Sequence, residues 1–209
     1  MATTTPNYGW TVPTSTDLVK DGATAIETLG DAIDASMNTA LGTKKAGMVL
    51  LNTTSFSGVA SQSISNVFSS AYTNYRILLN LTAASVTTTT FLRLRTASDD
   101  TGTNYYAAAD GVNWSNGAVN SNLITQSAFI IGRHVTGDTG YSKYNFDVLT
   151  PNLAQYTCLL GGHSGVSATV PYHNHGAHWS VTATQFTGYT IYPNSGTLSG
   201  TCWTYGYND

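Results

Sequence analysis

Short runs of alternating hydrophobic and polar residues fill the chain from position 47 onward. In Phe91–Arg95 the two leucines fall on one face of an extended strand and the two arginines on the other, as in a half-buried antiparallel strand. Gly, Asn, Asp, Ser and Thr separate such runs at spacings of about a dozen residues. The pattern predicts an all-β domain over 47–209, an antiparallel, jelly-roll-like β-sandwich. The expected strands are Met48–Asn52, Ser61–Phe68, Tyr75–Leu81, Phe91–Arg95, Leu123–Ile131, Ser142–Leu149, Tyr156–Leu160, His178–Thr184, Gly188–Tyr192 and Thr201–Tyr205.

Between positions 15 and 46 the pattern has the period of a helix instead, with apolar residues every three or four positions. Ser15–Asp17 offers N-capping side chains, and 42–47 form a glycine-bounded hinge. An isolated helix of about twenty residues is marginal in water. Packing must therefore stabilise it, either against its own domain or in a short parallel bundle with other copies of the chain. In the bundle, the trimerisation positions are Val19, Ile26, Leu29 and Ile33.

Residues 1–14 predict an extended arm. Tyr8 and Trp10 alternate on one side of an extended chain, and a lone arm has no core in which to bury them. The arm is therefore expected to dock on another protein through Pro6, Tyr8, Trp10 and Val12. A floppy terminus with incidental aromatic residues is the alternative.

Charge and composition exclude several classes of protein. Only 9% of the 209 residues are charged and the formal net charge is −3, so the chain lacks the basic surface that neutralises nucleic-acid phosphates. Its apolar runs stop at about four residues, whereas a membrane-spanning helix needs about 20. No secretory signal is visible. Cys158 and Cys202 lie in strand-like runs and are expected to be buried free thiols, with a disulfide between them as the alternative.

The polar residues do not suggest an enzyme. Glu27 is the single glutamate and lies in the helical segment, so a glycosidase would need a pair of aspartates that mostly occupy turns. The stretch Gly161–Gly165 is the nearest approach to a nucleophile elbow, and its serine is misplaced for that motif. No glycine-rich phosphate loop is present, so no nucleotide cofactor is expected.

Histidines cluster in the stretch 171–179. In an extended strand His173 and His175 share a face and could ligate a divalent metal, with three such pairs meeting on a threefold axis. Because no carboxylate or cysteine completes a site within one chain, a polar surface is the preferred interpretation and no cofactor is expected. His134 and His163 are isolated and are expected to be structural or surface residues.

Aromatic and amide side chains are dense in the stretch 97–120. Sugars present alternating hydroxyls and apolar faces, which aromatic rings and Asn side chains can match. The stretch could therefore form a loop that contacts host glycan. The alternative is a long hairpin whose Trp114 packs on the domain or on a neighbouring subunit. The candidate contact residues are Tyr105, Tyr106, Asn113 and Trp114.

Three stretches carry a resemblance to a known class of proteins. Residues 5–34 are similar to the N-terminal module of tailed-bacteriophage appendage proteins. Residues 56–77 resemble the start of their β-domain, and 186–207 resemble its closing strands, while the middle does not match. The resemblance implies a virion structural protein that is usually trimeric, located on the capsid or the tail.

These observations together predict a homotrimeric capsid fibre or decoration protein. The arm would anchor it to a major capsid, portal or tail protein, and the β-sandwich would project outward and could contact the host surface. Two alternatives remain open at this stage: a structural cement protein that binds no receptor, and a tail protein that binds host glycan. The expected location is the virion, assembled in the host cytoplasm.

Overall fold

The chain divides into two compact units, residues 1–47 and 48–209. The structure is a computed structural model. It describes residues 3–16, 18–41, 47–113, 118–136, 142–167 and 170–207; the predicted hinge falls almost wholly outside these ranges. Within them, no helix is both long and apolar enough to cross a membrane.

The first unit is a hairpin packed on a helix. Strands β1 (Thr3–Thr4) and β2 (Thr11–Val12) pair antiparallel, and a 3-10 turn at Val19–Asp21 leads into helix α1 (Gly22–Leu41). Leu18 precedes this turn and makes no side-chain cap bond; of the predicted capping residues, Asp17 lies outside the described residues.

The predicted extended arm is a hairpin in the structure. The backbone N–H of Thr5 donates to the carbonyl oxygen of Trp10 across the hairpin at 2.9 Å. The indole N–H of Trp10 then donates to the hydroxyl of Ser36 on α1 at 2.8 Å. The physical reason is that the helix supplies the surface that the aromatic residue needs, so the arm folds on its own chain.

The second unit consists of twelve described strands. Their bounds are β3 (Met48–Val59), β4 (Gln62–Ile64), β5 (Asn74–Ala84), β6 (Thr88–Arg95), β7 (Tyr105–Asn113), β8 (Ala118–Gln126), β9 (Phe129–His134), β10 (Ser142–Leu149), β11 (Thr157–Ser167), β12 (Val170–Ser180), β13 (Gly188–Pro193) and β14 (Leu198–Tyr207).

These strands form two antiparallel sheets that enclose one core. The large sheet has the order β3-β14-β5-β10-β11-β12-β7-β8, and the small sheet has the order β4-β13-β6-β9. Alternate side chains of each strand fill the space between the sheets. Ile77 and Phe146 point inward from the large sheet, and Leu92 and Tyr189 point inward from the small one. The predicted all-β sandwich is confirmed. Because alternate residues face inward, the other face of the large sheet is left to interact with solvent or a ligand.

Several strand predictions differ from the structure, and the predicted strand Ser61–Phe68 is reduced to Gln62–Ile64. The stretch 97–120 contains β7 and the start of β8, which pair antiparallel as in the long hairpin that was the alternative to a loop. Strand β12 begins at Val170 rather than at His178. The expected strand Leu123–Ile131 is two strands, because the chain leaves the large sheet after Gln126 and enters the small sheet at Phe129. The carbonyl oxygen of Ser127 accepts a hydrogen bond from Arg93 at 3.0 Å at this crossing.

Both cysteines are buried free thiols, as expected. Burial raises the pKa of Cys158 to about 11 and that of Cys202 to about 12. Cys202 also contacts the hydroxyl of Tyr189 at 2.9 Å. The thiols therefore act as small core groups rather than nucleophiles.

Three histidines of the β-sandwich are buried. His134 pairs with the hydroxyl of Ser142 at 2.7 Å. His163 stacks on Tyr144 with ring centroids 5.1 Å apart. His178 lies against the ring of Phe129. Burial lowers the pKa of His163 and of His178 to about 4, and nearby His173 adds to the effect on His163.

These buried imidazoles predict a loss of stability in mild acid. An unfolded histidine has a pKa of about 6.5, so below that pH the unfolded chain binds protons that the folded chain excludes. The two buried histidines therefore contribute fully to the free energy of unfolding above about pH 6.5, and this contribution is lost as the pH falls toward 4. We expect the free energy of unfolding to drop by about 4 kcal/mol between pH 7 and pH 5 from the two groups together.

Urea denaturation across this pH range measures the effect. His178→Gln should reduce the drop by about half, whereas His175→Gln, at an exposed position on the same strand, should leave it unchanged. An unfolding free energy that is constant from pH 7 to pH 5 would contradict the burial of these rings.

Candidate functional site

A groove of about 600 Å³ crosses the outer face of the large sheet. One row of paired residues runs across its floor, one residue from each of five adjacent strands. In order from β14 to β12 these are Trp203, Leu78, Asn145, Gly162 and His175. The next row along the strands adds Asn80, Lys143, Ser164 and His173.

Glycines in β11 shape this groove. Gly162 has no side chain and lies in register between Asn145 and His175, so it leaves a notch in an otherwise continuous row of side chains. Gly161, beside it, allows β11 to approach β10 closely: a Cβ atom there would lie 2.1 Å from the carbonyl oxygen of Asn145. Its φ of +148° is also one that residues with side chains rarely adopt.

The two candidate metal ligands, His173 and His175, line the groove together. They point to one face of β12, as the alternation predicted. Among the residues that the structure describes, no group of three His, Cys, Asp or Glu side chains could hold a metal ion. The pair can act as hydrogen-bonding groups toward a ligand in the groove.

Lys143 is a cation that lines the groove, and its described hydrogen-bond partner is neutral. The ammonium of Lys143 donates a hydrogen bond to the amide oxygen of Asn80, a neutral partner. Asp147, four residues along β10 from Lys143, is already bound by Arg76 at 2.8 Å and by the hydroxyl of Tyr207. Burial opposes the ionisation of Asp147, but these hydrogen bonds outweigh it and hold the pKa of the carboxyl below its ordinary value. The carboxylate of Asp147 is therefore paired with Arg76 rather than with Lys143.

The predicted glycan contacts do not form one described surface. Tyr105 is 1% exposed, and its hydroxyl bonds the backbone of Leu94 and Asp100, so its assignment as a surface contact is wrong. The reason is strand alternation, which turns Tyr105 into the core and leaves Tyr106 41% exposed on the opposite face. Asn113 ends β7, while Trp114 lies outside the described residues.

In the first unit, α1 carries an apolar stripe that the hairpin does not cover. Ile26, Ile33 and Met37 follow the seven- and four-residue spacing of one helix face. Ile26 is 65% exposed and Met37 is 52% exposed, while Ile33 and Leu29 are half-buried. Val19, in the preceding turn, is almost fully exposed.

The other two faces of α1 are already accounted for. The hairpin lies on the face that presents Ala25, Thr28 and Ser36. A third face carries the exposed acidic residues Glu27, Asp31 and Asp34, which suit solvent. The apolar stripe is therefore the part of the helix surface that exposes hydrophobic side chains to water.

The four predicted anchoring residues lie on the hairpin and differ in exposure. Tyr8 is 69% exposed and stacks on Trp10 with ring centroids 5.1 Å apart. Pro6 is exposed, and Trp10 and Val12 are half-buried. A partner could contact Pro6 and Tyr8, while Trp10 holds the hairpin on α1.

The sequence interpretation missed Trp203, Asn145, Lys143 and Asn80. Alternation within each strand does place Lys143 and Asn145 on the outer face. The order and register of β14, β5 and β10, which lie far apart in the chain, decide that these side chains meet. That information is not present in any single run of residues.

Comparison with known proteins adds little beyond the fold. No protein-family model matches the chain, and no curated protein matches it. Among solved structures, the crystal structure of the galectin LEC-6 of Caenorhabditis elegans is similar to it at 15% identity. The match covers 75% of this chain and 94% of the galectin chain with a TM-score of 0.31. This likeness concerns the β-sandwich alone.

Proposed function

We propose that the protein is a homotrimeric structural protein of a tailed-bacteriophage particle, a capsid fibre or decoration protein without catalytic activity. The observation that carries the proposal is the apolar stripe of α1, in which Ile26 and Met37 are exposed and Ile33 between them is half-buried. Three copies of the helix packed in parallel would bury this stripe around a common axis.

The separation of the chain into two compact units supports this role. The β-sandwich encloses a complete core of its own, so it does not need the helix to fold. The first unit is then free to associate with other copies, and the exposed edge of its hairpin, at Pro6 and Tyr8, is available to a capsid, portal or tail protein. The resemblance of residues 5–34 to phage appendage modules points to the same role.

Purified particles test the proposal. We expect mass spectrometry of particles to detect the chain at a copy number that is a multiple of three. We also expect Tyr8→Asp to reduce its incorporation at least about tenfold, because it places a charge in an apolar contact. Thr16→Asp, an exposed position in the same unit, is the matched control. Absence of the chain from purified particles would contradict the proposal.

A further inference from the structure

The groove on the outer face of the large sheet has the dimensions of a site for a small organic ligand. Its volume of about 600 Å³ lies within the range of known ligand pockets. Five strands of one sheet form its floor, so its side chains are positioned by the backbone hydrogen bonds of the sheet rather than by a loop. Such a surface is preorganised for binding.

The chemistry of the floor matches a polyhydroxylated ligand. Trp203 and Leu78 offer an apolar surface at one end of the row, against which the C–H face of a sugar ring can pack. Asn145 and the histidines His173 and His175 offer amide and imidazole groups at the centre and the other end. An amide and a neutral imidazole each provide both a donor and an acceptor, which is also what a hydroxyl requires of its partner.

The charge of the groove indicates which saccharides it favours. Lys143 lines it, and its described hydrogen-bond partner is the neutral amide of Asn80. The described residues lining the groove include no Asp or Glu, and Asp147 nearby is occupied by Arg76. A negatively charged substituent placed beside Lys143 would therefore meet a positive charge that no described carboxylate of the groove neutralises.

We propose that this groove binds an acidic saccharide, with one sugar ring packed on Trp203, its hydroxyls bound by Asn145 and the two groove histidines, and its carboxylate beside Lys143. The inference concerns the β-sandwich alone, and it stands or falls independently of whether the chain forms trimers or belongs to a particle.

Calorimetry with the full chain tests this site. The probes are tri-galacturonate and its neutral counterpart, a galactose trimer. We expect tri-galacturonate to bind at least about tenfold more tightly than the neutral trimer, since a charge-assisted contact is worth 1.5–3 kcal/mol. Lys143→Gln should abolish this preference, so that the two trimers bind with affinities within about twofold of each other.

Tryptophan substitutions locate the binding on the groove. Trp203→Ala should weaken tri-galacturonate binding at least about tenfold, and Trp203→Phe, which keeps an aromatic face, should restore most of it. Trp179→Ala is the matched control, because Trp179 is 47% exposed on the same face of the sheet but outside the groove. Thermal melts establish that each variant is folded.

Three results would overturn the inference: no binding of either trimer, equal binding of both, or equal loss of binding in the Trp203→Ala and Trp179→Ala variants. Competition by sodium acetate at the same concentration as the saccharide would also overturn it, because the site would then be a simple anion site rather than a saccharide site.

Discussion

Replacing Ile26 and Ile33 together with aspartate should convert the proposed trimer into monomers. In a parallel bundle the two side chains face the axis, so the double variant would bring six carboxylates into one apolar seam. An unpaired charge in such a seam costs several kcal/mol, more than a short bundle can supply. Size-exclusion chromatography with light scattering should then give the monomer mass of 22.1 kDa.

The control for this variant adds the same charge to another face of α1. Ala35 and Asn38 are exposed beside the acidic residues of the helix, so Ala35→Asp with Asn38→Asp should leave the assembly intact. If the Ile26 and Ile33 variant keeps the mass of the native protein, or if the control also dissociates, the apolar stripe is not the seam.

Replacing Gly161 with valine should have the largest effect on stability. The new Cβ would lie 2.1 Å from the carbonyl oxygen of Asn145 on β10, at a φ of +148° that disfavours any side chain. Relief requires β10 and β11 to separate in the middle of the large sheet. We expect a loss of at least about 4 kcal/mol in the free energy of unfolding, a large part of the total stability of a domain.

Urea denaturation followed by near-ultraviolet circular dichroism measures this loss. Ser164→Val introduces the same side chain three residues along β11, where the residue is exposed, and should change stability by less than about 1 kcal/mol. A Gly161→Val protein with near-native stability would contradict the close approach of β10 and β11 and, with it, the shape of the groove.

The fold was predictable wherever alternation was strong. Phe91–Arg95 and Ser142–Leu149 alternate cleanly, and both are strands in the structure. The missed strand β7, Tyr105–Asn113, contains three alanines, one glycine and one aspartate, and Val112 is its single β-branched residue, so few of its residues favour a strand. There the neighbouring strands β8 and β12 impose the extended conformation.

The candidate site was predictable only in part. Alternation placed His173 and His175 on one face, because that relation is local to a single strand. The groove also needs Trp203, which is about 30 positions later in the chain. Three strands separate it from the histidines, and Gly162 on the last of these leaves the notch. Similarly, residues 1–14 pack on α1 through the hydrogen bond from Trp10 to Ser36. The sequence of either segment alone does not predict this contact.

The molar mass of the unaltered full chain in solution tests most directly whether α1 assembles three copies. Light scattering at low micromolar concentration should give three times 22.1 kDa, independent of the elution volume. A mass of 22.1 kDa under the same conditions would contradict the trimer, because it would mean that the exposed stripe of Ile26, Ile33 and Met37 remains in water.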